Sequence, residues 1–199
     1  MLVNPDDLQE EERSGKALAA DRLGAIIACS WPRAELTALA RRHRPDPADQ
    51  LAEQIALCTT NRERARVVAT ALANGTTLQL GQGGYRSDSD VAAMCRMQKV
   101  LTNPLRELNE AAATFRIAMR RLYRSRNIVL HGGSTQGVAL DAALRIAAPL
   151  VGAGLDRITH ADLAENLSAL DLAARAEVGL QLVGGETGLA VVDLLERRM

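Results

Sequence analysis

The run Arg126-Asn127-Ile128-Val129-Leu130-His131, followed by Gly132-Gly133, holds the residues of this chain best equipped for chemistry. A guanidinium keeps its charge at any pH a folded protein survives, whereas an imidazole gains and loses a proton near neutrality. Side by side they can offset charge on a phosphate and move a proton, which is what attack on a phosphodiester needs without a metal. Upstream, Arg116, Arg120, Arg124, Asn127 and His131 follow at steps of four, four, three and four. That spacing lines them up on one helical face, with Phe115, Ala118, Leu122 and Val129 on another. Taken alone, such a charge run is usually a solvated face. Arg126 lies about 140° from His131 on an ideal helix. The two converge only if the last turn distorts, if Arg126 reaches round, or if a second copy of the helix packs about a twofold axis.

The elements that must position these residues read as helices. The 199 residues are 47% apolar, enough for a real core, and formal charge is zero, so no global field draws the chain to nucleic acid or membrane. Of the 24 basic residues 22 are arginine. Residues 1–11 form an acidic start. Helices are predicted over Gly15 to Cys29, then from a break at Ser30-Trp31-Pro32 through His43, with Trp31 anchoring the two. Asp46 as N-cap and Pro47 at the first helical position open a helix to about Cys58. Thr60 and Glu63 have the spacing of a capping box, and that helix ends at Asn74-Gly75. Residues 76–89 are irregular, with Gly81, Gly83 and Gly84 and room for a short strand at Thr77 to Leu80. Asp90 to Leu101 is helical. Asn103-Pro104 then caps a helix of about 27 residues, roughly 40 Å, ending at Gly132-Gly133. Later helices cover about Gln136 to Val151, His160 to Val183 (N-capped by Thr159) and Leu189 to Arg198. Leu189, Val191, Val192, Leu194 and Leu195 give the last one an apolar face, read as core.

Cys29, Cys58 and Cys95 are scattered, which suits buried free thiols in a reducing compartment and no zinc site. Met1 to Glu12 lacks the apolar core of a signal peptide, and no apolar run is long enough to span a membrane. A cytoplasmic protein with no cofactor is expected. His43 reads as a helix end before Pro45, and His160 as exposed. Glu107 and Glu110 share the long helix with the arginines and are placed for intrahelical pairs.

An Arg at this spacing from a His is expected about once by chance, so the surrounding residues carry the weight. Leu122-Tyr123-Arg124-Ser125-Arg126-Asn127-Ile128-Val129-Leu130-His131-Gly132 resembles the signature of the HEPN superfamily in its Apea-like branch, approximately Leu-Tyr-x-x-Arg-Asn-x-x-x-His-Gly. The Tyr that follows the His in one toxin branch of the superfamily is replaced by Gly132 and Gly133. The resemblance implies an all-α, HEPN-like helical bundle over residues 12–155 with a long central helix, and additional C-terminal helices, 156–199, packed on the same domain. It further implies a homodimeric, metal-independent endoribonuclease in which a 2′-hydroxyl attacks the adjacent phosphate, serving as a toxin or antiviral-defence effector with an antitoxin or other partner protein. Carried over by position, His131 is the general acid/base, Arg126 offsets charge in the transition state and Asn127 orients one of them. Arg116, Arg120 and Arg124 would guide the RNA backbone, and Tyr123 would stack on a base or pack between helices. Two alternatives stand: a HEPN-like dimerisation or RNA-binding adaptor that does not cut, and a helical DNA-binding or regulatory protein using Asp46 to Asn74.

Overall fold

The computed structural model describes residues 15–80, 85–132, 140–184 and 188–196, with side chains described except at 85–87, 127, 129–132 and 140–150. Seven helices run through these residues: α1 Gly15–Arg42, α2 Gln50–Leu57, α3 Asn61–Ala73, α4 Tyr85–Thr102, α5 Pro104–Gly132, α6 Leu140–Glu165 and α7 Ala169–Leu182. Only two isolated bridges, His43 with Leu80 and Val183 with Leu189, interrupt the all-α character of the described residues. The expected strand at Thr77 to Leu80 therefore shrinks to one bridge. No helix among the described residues is long and apolar enough to cross a membrane.

Two compact units share the chain, one from residues 1–28 and 109–178, the other from 29–108 and 179–199. They interleave the spans 12–155 and 156–199, and the boundaries fall inside α1, α5 and α7.

In the first unit Leu23 and Ile27 of α1 meet Phe115 of α5, with Met119 and Ile158 packed against them. Two glycines permit this approach. A Cβ on Gly24 would stand 3.3 Å from Phe115, and one on Gly154 of α6 only 2.6 Å from Leu23. A side chain at Gly154 would have to displace Leu23 and Ile27 of α1. Between α6 and α7 Asn166 takes a left-handed φ of 49°. The amide of Leu167 donates to the carbonyl of Ala161, and Ser168 accepts from the Asp171 amide at 3.2 Å to start α7.

In the second unit α3 packs against α2 and α4. Leu36, Leu39, Val68, Met97, Val100 and Leu194 are fully buried. The capping box forms as expected: Thr60 accepts from the Glu63 amide and Glu63 accepts from the Thr60 amide. Hydrogen bonds from the Thr60 and Thr59 amides hold the Glu63 carboxyl down to about 2. α3 ends at Asn74, with Gly75 at φ +79°.

Several boundaries move. The break at Ser30-Trp31-Pro32 is absent; α1 continues through Pro32, which withholds the N–H that Ala28 would receive. Its fully buried ring offsets that loss, and Trp31 bonds Glu35 one turn on instead of bridging two helices. α2 starts three residues later than expected, because Asp49, not Asp46, caps it by accepting from the Ala52 amide at 2.8 Å. The Asp46–Pro47 bond is cis. α6 passes through position 149 and takes in Thr159 and His160, so Thr159 caps nothing. Residues 189–196 form successive turns, not a helix. Asp193 is drawn out by Arg62 at 2.6 Å and Arg66 at 2.7 Å, and Glu196 by Arg33, while Val191, Val192, Leu194 and Leu195 reach the core as expected. Of the cysteines only Cys29 is fully buried, which pushes its thiol up to about 12; Cys58 is half-buried and Cys95 exposed. Gly81, Gly83 and Gly84 lie outside the described residues.

Candidate nucleic-acid interface

α5 is the long helix that Asn103-Pro104 and Gly132-Gly133 announce, and it stays α-helical to Gly132. Within the first unit its core side is Ala112 and Phe115, with Met119 and Leu122 half-buried beyond them. Past Phe115 none of its described side chains is fully buried. Core contacts therefore fix the helix in its middle, and beyond Phe115 its described arginines other than Arg116 are exposed.

Arg120, Arg121, Arg124 and Arg126 are exposed and Arg116 is half-buried. Arg116 is partly engaged, with Nη1 3.6 Å from Asp21 and Nε donating to the Ala112 carbonyl. No described residue forms an ion pair with Arg120, Arg121 or Arg124. Glu107 pairs with Arg106 at 3.8 Å rather than with the stripe. With no carboxylate partner among the described residues, Arg120, Arg121 and Arg124 keep their forks available for phosphate oxygens. Ile117 and Ile128, 49% and 47% exposed, stand on the edge of the same face and give it apolar contact area.

Tyr123 is engaged within its own unit. Lys16 of α1 donates to its hydroxyl at 2.7 Å and lies 4.6 Å from its ring centroid. This contact adds a cation to the face, and sequence spacing could not reveal it, because Lys16 is 107 residues away.

Arg126 is described and exposed, whereas the side chains of Asn127 and His131 lie outside the described residues. Their helical positions are described. Because α5 remains α to Gly132, the distorted last turn falls away as a route to convergence. On this helix Arg126 and His131 stand about 140° apart and about 7.5 Å along the axis. Only a long reach by Arg126, or a second copy, would set both on one phosphate.

Two further titratable clusters occur elsewhere. His43, expected as a simple helix end, is buried: Gln79 N–H donates to its Nδ1 at 3.1 Å, so Nε2 carries the proton and donates to Asp49 at 3.0 Å. That bond, with the Ala52 amide, holds the Asp49 carboxyl below its ordinary value. Arg157, 6% exposed, donates to Glu165 at 2.6 Å and faces His160 Nδ1 at 3.1 Å. Burial raises the Glu165 carboxyl, but the hydrogen bond and charge of Arg157, together with His160, outweigh it and the net shift is downward. His160 is exposed, as expected. Among the described residues no three His, Cys, Asp or Glu side chains are grouped to hold a metal ion. Compared with known proteins, the chain is matched by no family model, no curated protein and no solved structure.

Proposed function

We propose that the exposed half of α5 binds RNA and that a homodimer of this chain cleaves it without a metal, as an endoribonuclease of the HEPN type. The observation that carries this proposal is the set of exposed arginines, Arg120, Arg121 and Arg124, with no acidic partner among the described residues, on a helix that leads unbroken into Arg126 and His131. Phosphate contacts by such residues supply affinity without sequence preference. In the cleavage step His131 takes the proton of a 2′-hydroxyl, and the 2′-oxygen attacks the adjacent phosphorus. The bond from phosphorus to the 5′-oxygen breaks, and an imidazolium, the partner subunit's His131, returns a proton to that oxygen. The products are a 2′,3′-cyclic phosphate and a 5′-hydroxyl. Arg126 offsets the charge that accumulates on the phosphorane-like transition state, and Asn127 orients His131 or the phosphate. A toxin or a defence effector held in check by a partner protein is the setting that suits such an activity.

A second reading, a dimerisation or RNA-binding adaptor without cleavage, draws support from the wide angle between Arg126 and His131 on one regular helix. Incubation with single-stranded RNA in excess chelator separates the two. The enzyme cuts, and Arg126→Ala and His131→Ala each lose about 100-fold or more while remaining dimeric. Binding without cutting in every sample supports the adaptor. Equal cutting by both variants sinks the assignment of these residues.

A further inference from the structure

The second unit contains a groove of about 580 Å³ between α2 and α3 that the α5 face does not use. Its rim carries the side chains of Gln50, Gln54, Thr70, Asn74 and Thr76, all exposed, none of which bonds to any other described residue. Its floor is Leu51, Val67 and Ala71, buried or half-buried. The two charged residues at its edge already have partners. Asp49 is bonded to His43 and the Ala52 amide, and Arg66 directs Nε and Nη2 to Asp193 at 3.1 and 2.7 Å.

An apolar floor beneath uncommitted amides and hydroxyls, with no net charge, suits a flat, uncharged ligand with hydrogen-bonding edges. An anion would meet the Asp49 carboxylate and an Arg66 already paired. A nucleobase fits all three conditions: apolar faces, a polar edge, and donor–acceptor pairs that Gln and Asn side chains match in twos. The volume falls within the usual range of small-ligand sites.

We propose that the α2–α3 groove takes one unpaired nucleobase and gives the protein its preference among RNA sequences. This proposal rests on the RNA reading of α5 for its biological use, but not for its chemistry. His43 is a positioning residue for it. From its buried place at the end of α1 it ties Asp49, at the start of α2, to Gln79, just beyond Thr76, and so fixes two walls of the groove.

The test uses the full-length protein. Amide chemical shifts are followed during titration with each of the four nucleosides, and binding of four homopolymeric eight-nucleotide RNAs is measured alongside. One nucleoside is expected to shift residues 49–76, and its homopolymer to bind about 10-fold more tightly than the weakest. The doubly substituted Gln54→Ala/Asn74→Ala protein, altered only at exposed positions, should lose that preference and keep its melting temperature. Preference unchanged in that variant overturns the proposal, as does the absence of any preference. Shifts that appear only with a neutral dipeptide, and with no nucleoside, would make the groove a peptide site and also overturn it. If no RNA is cut but a nucleoside shifts the groove residues, the enzyme reading fails and this one stands. If RNA is cut with no shift at the groove, the reverse holds.

Discussion

In the unit built from residues 29–108 and 179–199, Arg33, Arg42, Arg62, Arg66 and Arg96 each meet a carboxylate, and those carboxylates fasten the turns at 189–196 and the helices α1, α3 and α4 to one another. On α5 in the other unit, Arg120, Arg121 and Arg124 meet none among the described residues. Residue type is the same in both regions, and exposure does not separate them either: Arg66 and Arg96 are about half exposed and still paired. What differs is whether the fold supplies an acid opposite. A paired arginine is part of the scaffold; one left without an acid is available to an anion from outside. Arg157 and Arg175, which share Glu165, show that the first unit also pairs its arginines away from α5.

Substitutions should separate the two sets. The largest effect is expected where neither set is involved. Gly154→Leu forces a side chain into the 2.6 Å contact with Leu23 and should cost about 3 kcal/mol, read as a drop in the denaturation midpoint. Asp193→Ala leaves Arg62 and Arg66 without their shared partner and should cost about 2 kcal/mol in the same assay. Arg120→Ala and Arg124→Ala, by contrast, should each change stability by no more than about 0.5 kcal/mol. If they cost as much as Asp193→Ala, the arginines of α5 are scaffold too and the distinction collapses.

Acid provides a smaller effect. The carboxyl of Glu63 is held down to about 2 in the folded protein, so its stabilising contribution is complete above the unfolded value near 4.5 and is lost as pH falls toward 2. Asp49, also lowered, acts in the same direction. Glu63→Gln should therefore flatten the melting temperature against pH between about 4.5 and 2 and leave the curve above 5 parallel to that of the parent. A variant curve that still falls as steeply there would remove Glu63 as the acid-sensitive cap.

Much of this architecture is legible in the sequence where a local signal has no competitor. Asn103-Pro104 opens α5, which is described as far as Gly132, and Thr60 with Glu63 opens α3. Signals fail where tertiary contacts decide. Pro32 reads as a break, yet burial of its ring keeps α1 whole. Asp46-Pro47 reads as the helix start, yet Asp49 caps α2, and the bond from His43 helps hold Asp49 in that place. Thr159 looks like a cap but lies inside α6, while the left-handed Asn166 and Ser168 do the work. For the site, the four-residue spacing exposes the arginine face. Which arginines meet an acid among the described residues, the approach of Lys16 to Tyr123 and the groove between α2 and α3 depend on residues far apart in sequence.

The central claim is that the α5 arginines are held for phosphate. Its most direct test is the salt dependence of single-stranded RNA affinity for the parent protein and for Arg120→Ala/Arg124→Ala. If both arginines contact phosphates, the double variant binds more weakly and the slope of log affinity against log salt falls by about 0.7 for each contact removed. An affinity and slope identical to those of the parent would contradict the account.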